Sequence, residues 1–314
     1  MTATIFATSG RYMNKAWEGS FATWAEGPGK TEQEKCDNAE TAVRKAIAAS
    51  RELESWDVTV VPHGSYRIRT NIKQDSDVDI FVRMNSPTFF DDYPPGKARA
   101  DFGNIDGTVN YADYRNRIER ALKGYLGEGA VTAGEKAFDV HENSYRIDAD
   151  VIAVFAHRRY TGQFNPDGSH HYHEGIAFRT SSGTLVRSWP EQSYANGIAK
   201  NAATSRRYKR VIRVLKNLRN YMQEKKVSAA TGIASFLIES LVWNVPNDAF
   251  GDGAYCDDVY NVLSFLIKQT ASMDTCREWG EVNELFYLWH GGQAWTLAQA
   301  HSFLKAAWSF LDFS

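Results

Sequence analysis

Two aspartates separated by one apolar residue, Asp77-Val78-Asp79, lead directly into the β-rich run Ile80-Phe81-Val82. Residues i and i+2 of a strand point to the same side, so both carboxylates share one face. A third carboxylate is available from "SYRIDADVIAVFAHRRY", where Asp148 and Asp150 fall together on one face of a predicted strand over 144–160. Three converging carboxylates raise one another's pKa and stay ionised only beside a cation. Hard oxygen donors that leave room for water and phosphate suit magnesium, and a pair of such ions serves displacement at a phosphate. Upstream, Gly64-Ser65 closes "WDVTVVPHGS". A glycine there lets the backbone turn tightly against a ligand, and Ser65 with the N–H groups after it can bind a terminal phosphate. Phosphoryl chemistry needs mainly positioning and charge neutralisation, and these residues offer both.

The elements that must position these groups follow from the pattern of the chain. Thr31-x-x-Glu34 has the spacing of a capping box and opens a predicted helix that runs to about Glu54. Strands are expected over 56–62 and 77–84, a Pro/Gly/Asp-rich surface loop over 85–107, and a helix from Tyr111 to Leu126. "GQFNPDGSHHYHEG" reads as a polar loop. "GIAFRTSSGTLVRSW" reads as a hairpin turning at Ser181-Ser182-Gly183. His170, His171 and His173 then belong to a mobile surface loop, and Arg158-Arg159 to a solvated strand end. From about Asn196 the periodicity is helical, and Val211, Leu215, Leu218 and Met222 form an apolar stripe with Lys209, Arg213 and Lys216 opposite. The expected fold is mixed α/β (α+β), with a sheet-bearing lobe over 1–195, whose first helices can pack on the second lobe, and a helical lobe over 196–314.

The formal charge of −2 argues against bulk binding of duplex nucleic acid. Cys36, Cys256 and Cys276 lie in no paired spacing, which supports neither a zinc site nor a disulfide framework, and a cytoplasmic location is the expectation. No apolar run reaches membrane-spanning length, and no signal peptide is read at the amino terminus.

The residues so far resemble the nucleotidyltransferase β superfamily, and more narrowly the bacterial cGAS/DncV-like nucleotidyltransferases (CD-NTases), nearest the CdnE-type clade. The likeness is carried by "GSYRIRTNIKQDSDVDI", "ADVIAVFAHRRY", "YKRVIRVLKNLR" and "IASFLIESLVWNVP". It covers roughly residues 10–313, and departs at Ala153, where relatives often carry proline. The resemblance implies a two-lobed polymerase β-like fold and selects Asp150 over Asp148 as the third ligand, with Asp77 and Asp79, of two Mg2+ ions that Mn2+ can replace. It places Lys216 and Ser235 on the donor triphosphate, Phe236 beside a base and Ser188 in a base pocket. It further implies template-independent synthesis of a cyclic dinucleotide from ATP and a second NTP, with a separate effector reading the product in anti-phage signalling. Relatives that prefer pyrimidines carry asparagine at the position of Ser188, so the shorter serine points to a product containing adenosine. The competing expectations are transfer to an RNA or protein acceptor, and a catalytically inactive antitoxin-like module.

Overall fold

The computed structural model describes residues 14–73, 77–105, 107–251 and 253–314. In chain order the first elements are α1 (Glu18–Ala25), α2 (Lys30–Ala48), β1 (Val58–Pro62), α3 (Gly64–Ile68), β2 (Val78–Met84) and α4 (Tyr111–Leu126). Then come β3 (Val131–Ala133), β4 (Phe138–Val140), β5 (Ala149–Phe164), β6 (His170–Arg179) and β7 (Leu185–Ser188). The remainder is helical: α5 (Pro190–Ala203), α6 (Arg207–Glu224), α7 (Ser235–Trp243), α8 (Tyr255–Thr270), α9 (Met273–Cys276) and α10 (Leu297–Phe310). Two compact units result. The expected span 1–195 is divided between them: one unit holds Pro28–Ile68 and Lys73–Glu191, the other Met1–Gly27, Arg69–Ile72 and Gln192–Ser314.

The first unit is built on a mixed sheet in the order β1-β2-β5-β4-β3, with β6 beside β5 and β7 beside β6. β2 and β5 are parallel, and the remaining pairs are antiparallel. Alternation sorts the side chains. Val78, Ile80, Val82 and Met84 of β2 and Ala149, Val151, Ala153 and Phe155 of β5 are buried with Val43 of α2 and Tyr114, Ile118 and Leu122 of α4. Each such side chain withdrawn from water contributes about 1.5–3 kcal/mol. On the opposite face Phe81 and Val154 pack with Ile176 and Phe178. α4 begins where the Asn110 side chain accepts hydrogen bonds from the N–H groups of Ala112 and Asp113, and it ends at Gly127 with φ +101°. Ala153 lies inside β5 opposite Val82, and the strand continues past it unbroken.

Several boundaries differ from expectation. α2 starts at Lys30 with Gly29 as its cap, so Thr31 lies inside the helix and forms no capping box. Residues 144–148 turn rather than extend, because the Asn143 side chain accepts from the N–H groups of Tyr145 and Arg146, both at 2.9 Å. β5 instead runs on to Phe164 and pairs with β6 around the Asn165–Ser169 turn, where Gly168 has φ +83°. His170, His171 and His173 are therefore half-buried strand residues rather than members of a loop. Arg158 and Arg159 sit within β5, with their guanidinium groups 4.6 Å from the Tyr172 ring and 5.8 Å from the Trp189 ring. Cross-strand stacking of this kind is available only once the hairpin has formed.

In the helical unit α6 is the central element. Val211, Leu215, Leu218 and Met222 are fully buried, together with Ile212 and Val214, against Phe21 of α1 and Leu237 and Leu241 of α7. The polar side of α6 is largely buried. Lys216 is 2% exposed, and its Nζ lies 2.5 Å from Glu239 Oε1 and 3.1 Å from the Thr70 carbonyl oxygen. Arg207 pairs with buried Asp258, and Arg219 donates to the Ile233 carbonyl oxygen at 2.8 Å. The three cysteines are buried and free, and among the described residues no helix is long and apolar enough to cross a membrane.

Removing one member of a buried ion pair strands the other, a loss of about 3–5 kcal/mol, whereas an apolar pair of similar volume is often tolerated. Urea denaturation should therefore show Lys216→Met strongly destabilised, and Lys216→Met with Glu239→Leu less so than the single variant.

Candidate active site

β1 delivers the chain to His63, whose N–H donates to the Asp79 carbonyl oxygen at 2.7 Å and whose ring stacks on Phe81 with centroids 4.1 Å apart. Burial, with the Arg67 charge nearby, pushes the His63 imidazole down to about 4, so it is neutral near pH 7. The next residue explains the glycine. Gly64 has φ +63°, and a Cβ built on it would lie 1.8 Å from Asp79 Oδ2. Any side chain would displace that carboxylate, so the close approach of Asp79 to the turn requires Gly64. Ser65 follows in the first turn of α3, half-buried. Arg67 of the same turn is held by Glu191 through two hydrogen bonds of 2.5 and 2.7 Å.

The acidic residues converge through strand register. Asp79 on β2 stands opposite Asp150 on the parallel β5, and Asp150 stands opposite Asp139 on the antiparallel β4. Asp77 is exposed immediately before β2. Burial, a hydrogen bond with Asp139 and the charges of Asp79, Asp139 and Asp77 push the Asp150 carboxyl up to about 7. Asp148 is engaged elsewhere: its Oδ1 accepts from the Glu142 N–H at 2.6 Å and its carbonyl oxygen from the Val78 N–H at 3.1 Å. Of the two aspartates that alternation leaves open, Asp150 is the one beside Asp79.

Asp139 was not anticipated from sequence. Its signal was present in Phe138-Asp139-Val140, which repeats the apolar-Asp-apolar pattern of Val78-Asp79-Ile80 and Ala149-Asp150-Val151. Among the described residues no three such side chains already form a closed metal cage. Asp150 shares a hydrogen bond with Asp139. The donor set itself, oxygen-only and with one member resisting ionisation near neutral pH, fits a hard divalent cation.

Of the other expected site residues, Ser188 belongs to the sheet, and Lys216, Ser235 and Phe236 belong to the helical unit. Ser188 ends β7, two strands over from β5, opposite Ile176. A Cβ on Gly175 would come within 2.6 Å of its carbonyl oxygen, so β6 and β7 meet closely there. In the helical unit Ser235 opens α7, its hydroxyl accepting from Arg219 Nη1 at 3.0 Å, and the Phe236 ring lies 6.1 Å from that of Trp295. Lys216 is placed on the donor triphosphate by the resemblance. It is buried on Glu239 because α7 presents that carboxylate to the polar side of α6.

Comparison with known proteins agrees with this architecture. Residues 195–312 match the model of the cGAS/DncV-like nucleotidyltransferase C-terminal helical domain, and residues 43–125 that of the nucleotidyltransferase domain. The chain is 38% identical to the cyclic dipyrimidine nucleotide synthase CdnE of Legionella pneumophila, over 96% of this chain and 99% of that one. It is 36% identical to the protein of the same name from Cecembia lonarensis, over 96% and 100%. The structure of the Rhodothermus marinus CdnE c-UMP-AMP synthase with Apcpp and Upnpp superposes with a TM-score of 0.80 at 28% identity, covering 93% of this chain and 95% of that one. With its nucleotidyltransferase sheet, its helical domain and this near-complete likeness, the chain belongs to the cGAS/DncV-like nucleotidyltransferases, among the CdnE-type cyclic nucleotide synthases.

Proposed function

We propose that the protein joins two nucleoside triphosphates without a template, a ribose hydroxyl of one attacking the α-phosphate of the other with release of pyrophosphate, and that a second transfer closes a cyclic dinucleotide. The observation that carries this reading is the register of Asp79 beside Asp150, with Gly64 pressed against the Asp79 carboxylate. Asp77, Asp79 and Asp150 would hold two divalent cations, magnesium or manganese in its place. These would supply charge neutralisation and an activated hydroxyl. Gly64 keeps the turn free of side-chain bulk, and Ser65 with its neighbouring N–H groups receives the donor phosphates. Ser235 contacts the triphosphate, and Phe236 lies beside a base. Lys216 reaches a phosphate only by leaving Glu239. The product is read by a separate effector in anti-phage signalling in the bacterial cytoplasm.

Ser188 supports a product that contains adenosine, with ATP as one substrate, since a short hydroxyl leaves room for a purine. A second reading, a dipyrimidine product, is favoured by the names of the Legionella and Cecembia relatives. Mass spectrometry of the product formed from all four NTPs decides between them. An adenosine-containing ring that moves toward uridine in Ser188→Asn supports the first, and an all-pyrimidine ring supports the second.

Asp77→Ala with Asp79→Ala should abolish product without lowering Tm, because it removes mutually repelling charges. Asp150→Asn should also abolish it, whereas Asp148→Asn should retain most activity. Normal yield from the double variant, or the reverse order at 148 and 150, would overturn the assignment of these carboxylates.

The Asp150 carboxyl also sets a pH dependence in the absence of divalent cations. Its folded pKa, raised to about 7, lies above its ordinary value, so the unfolded chain loses this proton first. The stabilisation is complete below about pH 4 and is lost as pH rises through about 7. Thermal melts in chelator should show that decline in the unmodified protein and a flatter profile in Asp150→Asn. Magnesium should raise Tm more at pH 8 than at pH 5.

A further inference from the structure

The stretch Arg69–Ile72 packs with the helical unit, although the chain on either side of it belongs to the sheet-bearing unit. Thr70, Asn71 and Ile72 are 1%, 5% and 2% exposed. Three side chains grip this stretch. Arg213 Nη1 donates to the Arg69 carbonyl oxygen at 2.7 Å, and Lys216 Nζ to the Thr70 carbonyl oxygen at 3.1 Å. The Thr70 hydroxyl donates to Glu239 Oε1 at 2.7 Å, the same oxygen that Lys216 approaches at 2.5 Å. Arg69 itself has φ +57°, a left-handed conformation that a non-glycine residue keeps only when its surroundings impose it. Along the chain this gripped stretch stands between the Gly64-Ser65 turn and Asp77.

A buried lysine–glutamate pair adds little to stability that an apolar pair would not also supply. What the charged pair adds here is direction: one carboxylate oxygen takes both the lysine on α6 and the threonine of the gripped stretch. We propose that Glu239 and Thr70 are positioning residues for nucleotidyl transfer, the shared oxygen fixing residues 69–72 and, through the chain that joins them directly to α3, the turn at Gly64-Ser65 before them. This rests on the function proposed above. Neither residue is required to touch nucleotide. Their work is to hold in place the short stretch that follows the Ser65 turn, where a displacement of about 1 Å can cost about 100-fold in rate.

Glu239→Leu alone strands Lys216 and need not fold, so Thr70 carries the test. Thr70→Val removes the hydroxyl at nearly constant shape, Thr70→Ser restores it, and Val262→Ala in the core of α8 is the stability control. Amide hydrogen exchange and steady-state kinetics with ATP and a second NTP are measured on all of them well below Tm. In Thr70→Val, amides of residues 64–72 should exchange about tenfold faster through local opening, with kcat down about tenfold and KM within about twofold. Thr70→Ser should return both toward the unmodified values, and Val262→Ala should change neither. Equal effects in Thr70→Val and Val262→Ala, or unchanged exchange at 64–72 in Thr70→Val, would overturn the proposal. Absence of any product from the unmodified protein would instead remove the proposed function, and the exchange measurement would then decide the grip on its own.

Discussion

The parallel pairing of β2 with β5 is the constraint on which the sheet-bearing unit turns, because it sets Asp79 next to Asp150. Adjacent strands run about 4.8 Å apart. Two unit charges at about 5 Å repel by about 3 kcal/mol at an effective dielectric of about 20. The fold bears that repulsion because the opposite faces of the same two strands bury a continuous apolar layer under α2 and α4. It also relieves part of it by raising the Asp150 carboxyl to about 7, where it shares a hydrogen bond with Asp139. The larger apolar layer thus lies on one face of the strands and the carboxylates on the other, beside the smaller cluster of Phe81 and Val154.

The turn at Gly64 belongs to the same constraint. Asp79 fixes the turn twice, through its backbone oxygen on the His63 N–H and through its carboxylate against the bare Cα of Gly64. The neutral His63 ring on Phe81 adds packing without adding charge. The Gly64 turn and the acidic strand are in this way one structure, in which a shift of either moves the other.

The helical unit solves a different problem, that of burying cations. Lys216 meets Glu239, Arg207 meets Asp258, and Arg219 meets the Ile233 carbonyl and the Ser235 hydroxyl. Glu18 accepts from the N–H groups of Tyr255 and Cys256, both at 2.8 Å, and so caps α8. Each buried charge has a partner at a fixed position, which makes the packing of α6 against its neighbours specific as well as apolar.

Whatever depends on local period and residue type was legible in the sequence. The strand that carries Asp79, the need for glycine at 64, the span of α4 and the buried stripe of α6 all follow from alternation, helical spacing and turn chemistry. Whatever depends on which segments meet was not. Alternation left Asp148 and Asp150 equivalent, and only the β2–β5 register set Asp150 beside Asp79 while the Glu142 N–H occupied Asp148. Asp139 carried an apolar-Asp-apolar pattern, but only the β4–β5 register set it opposite Asp150. The histidines of β6 looked like loop residues until β5 supplied the partner strand. Lys216 is polar by type and sits opposite the apolar stripe, yet it is buried because Glu239, far along the chain, comes to meet it. Side-chain period decides which way a residue faces, and only the long-range pairing of elements decides what it faces.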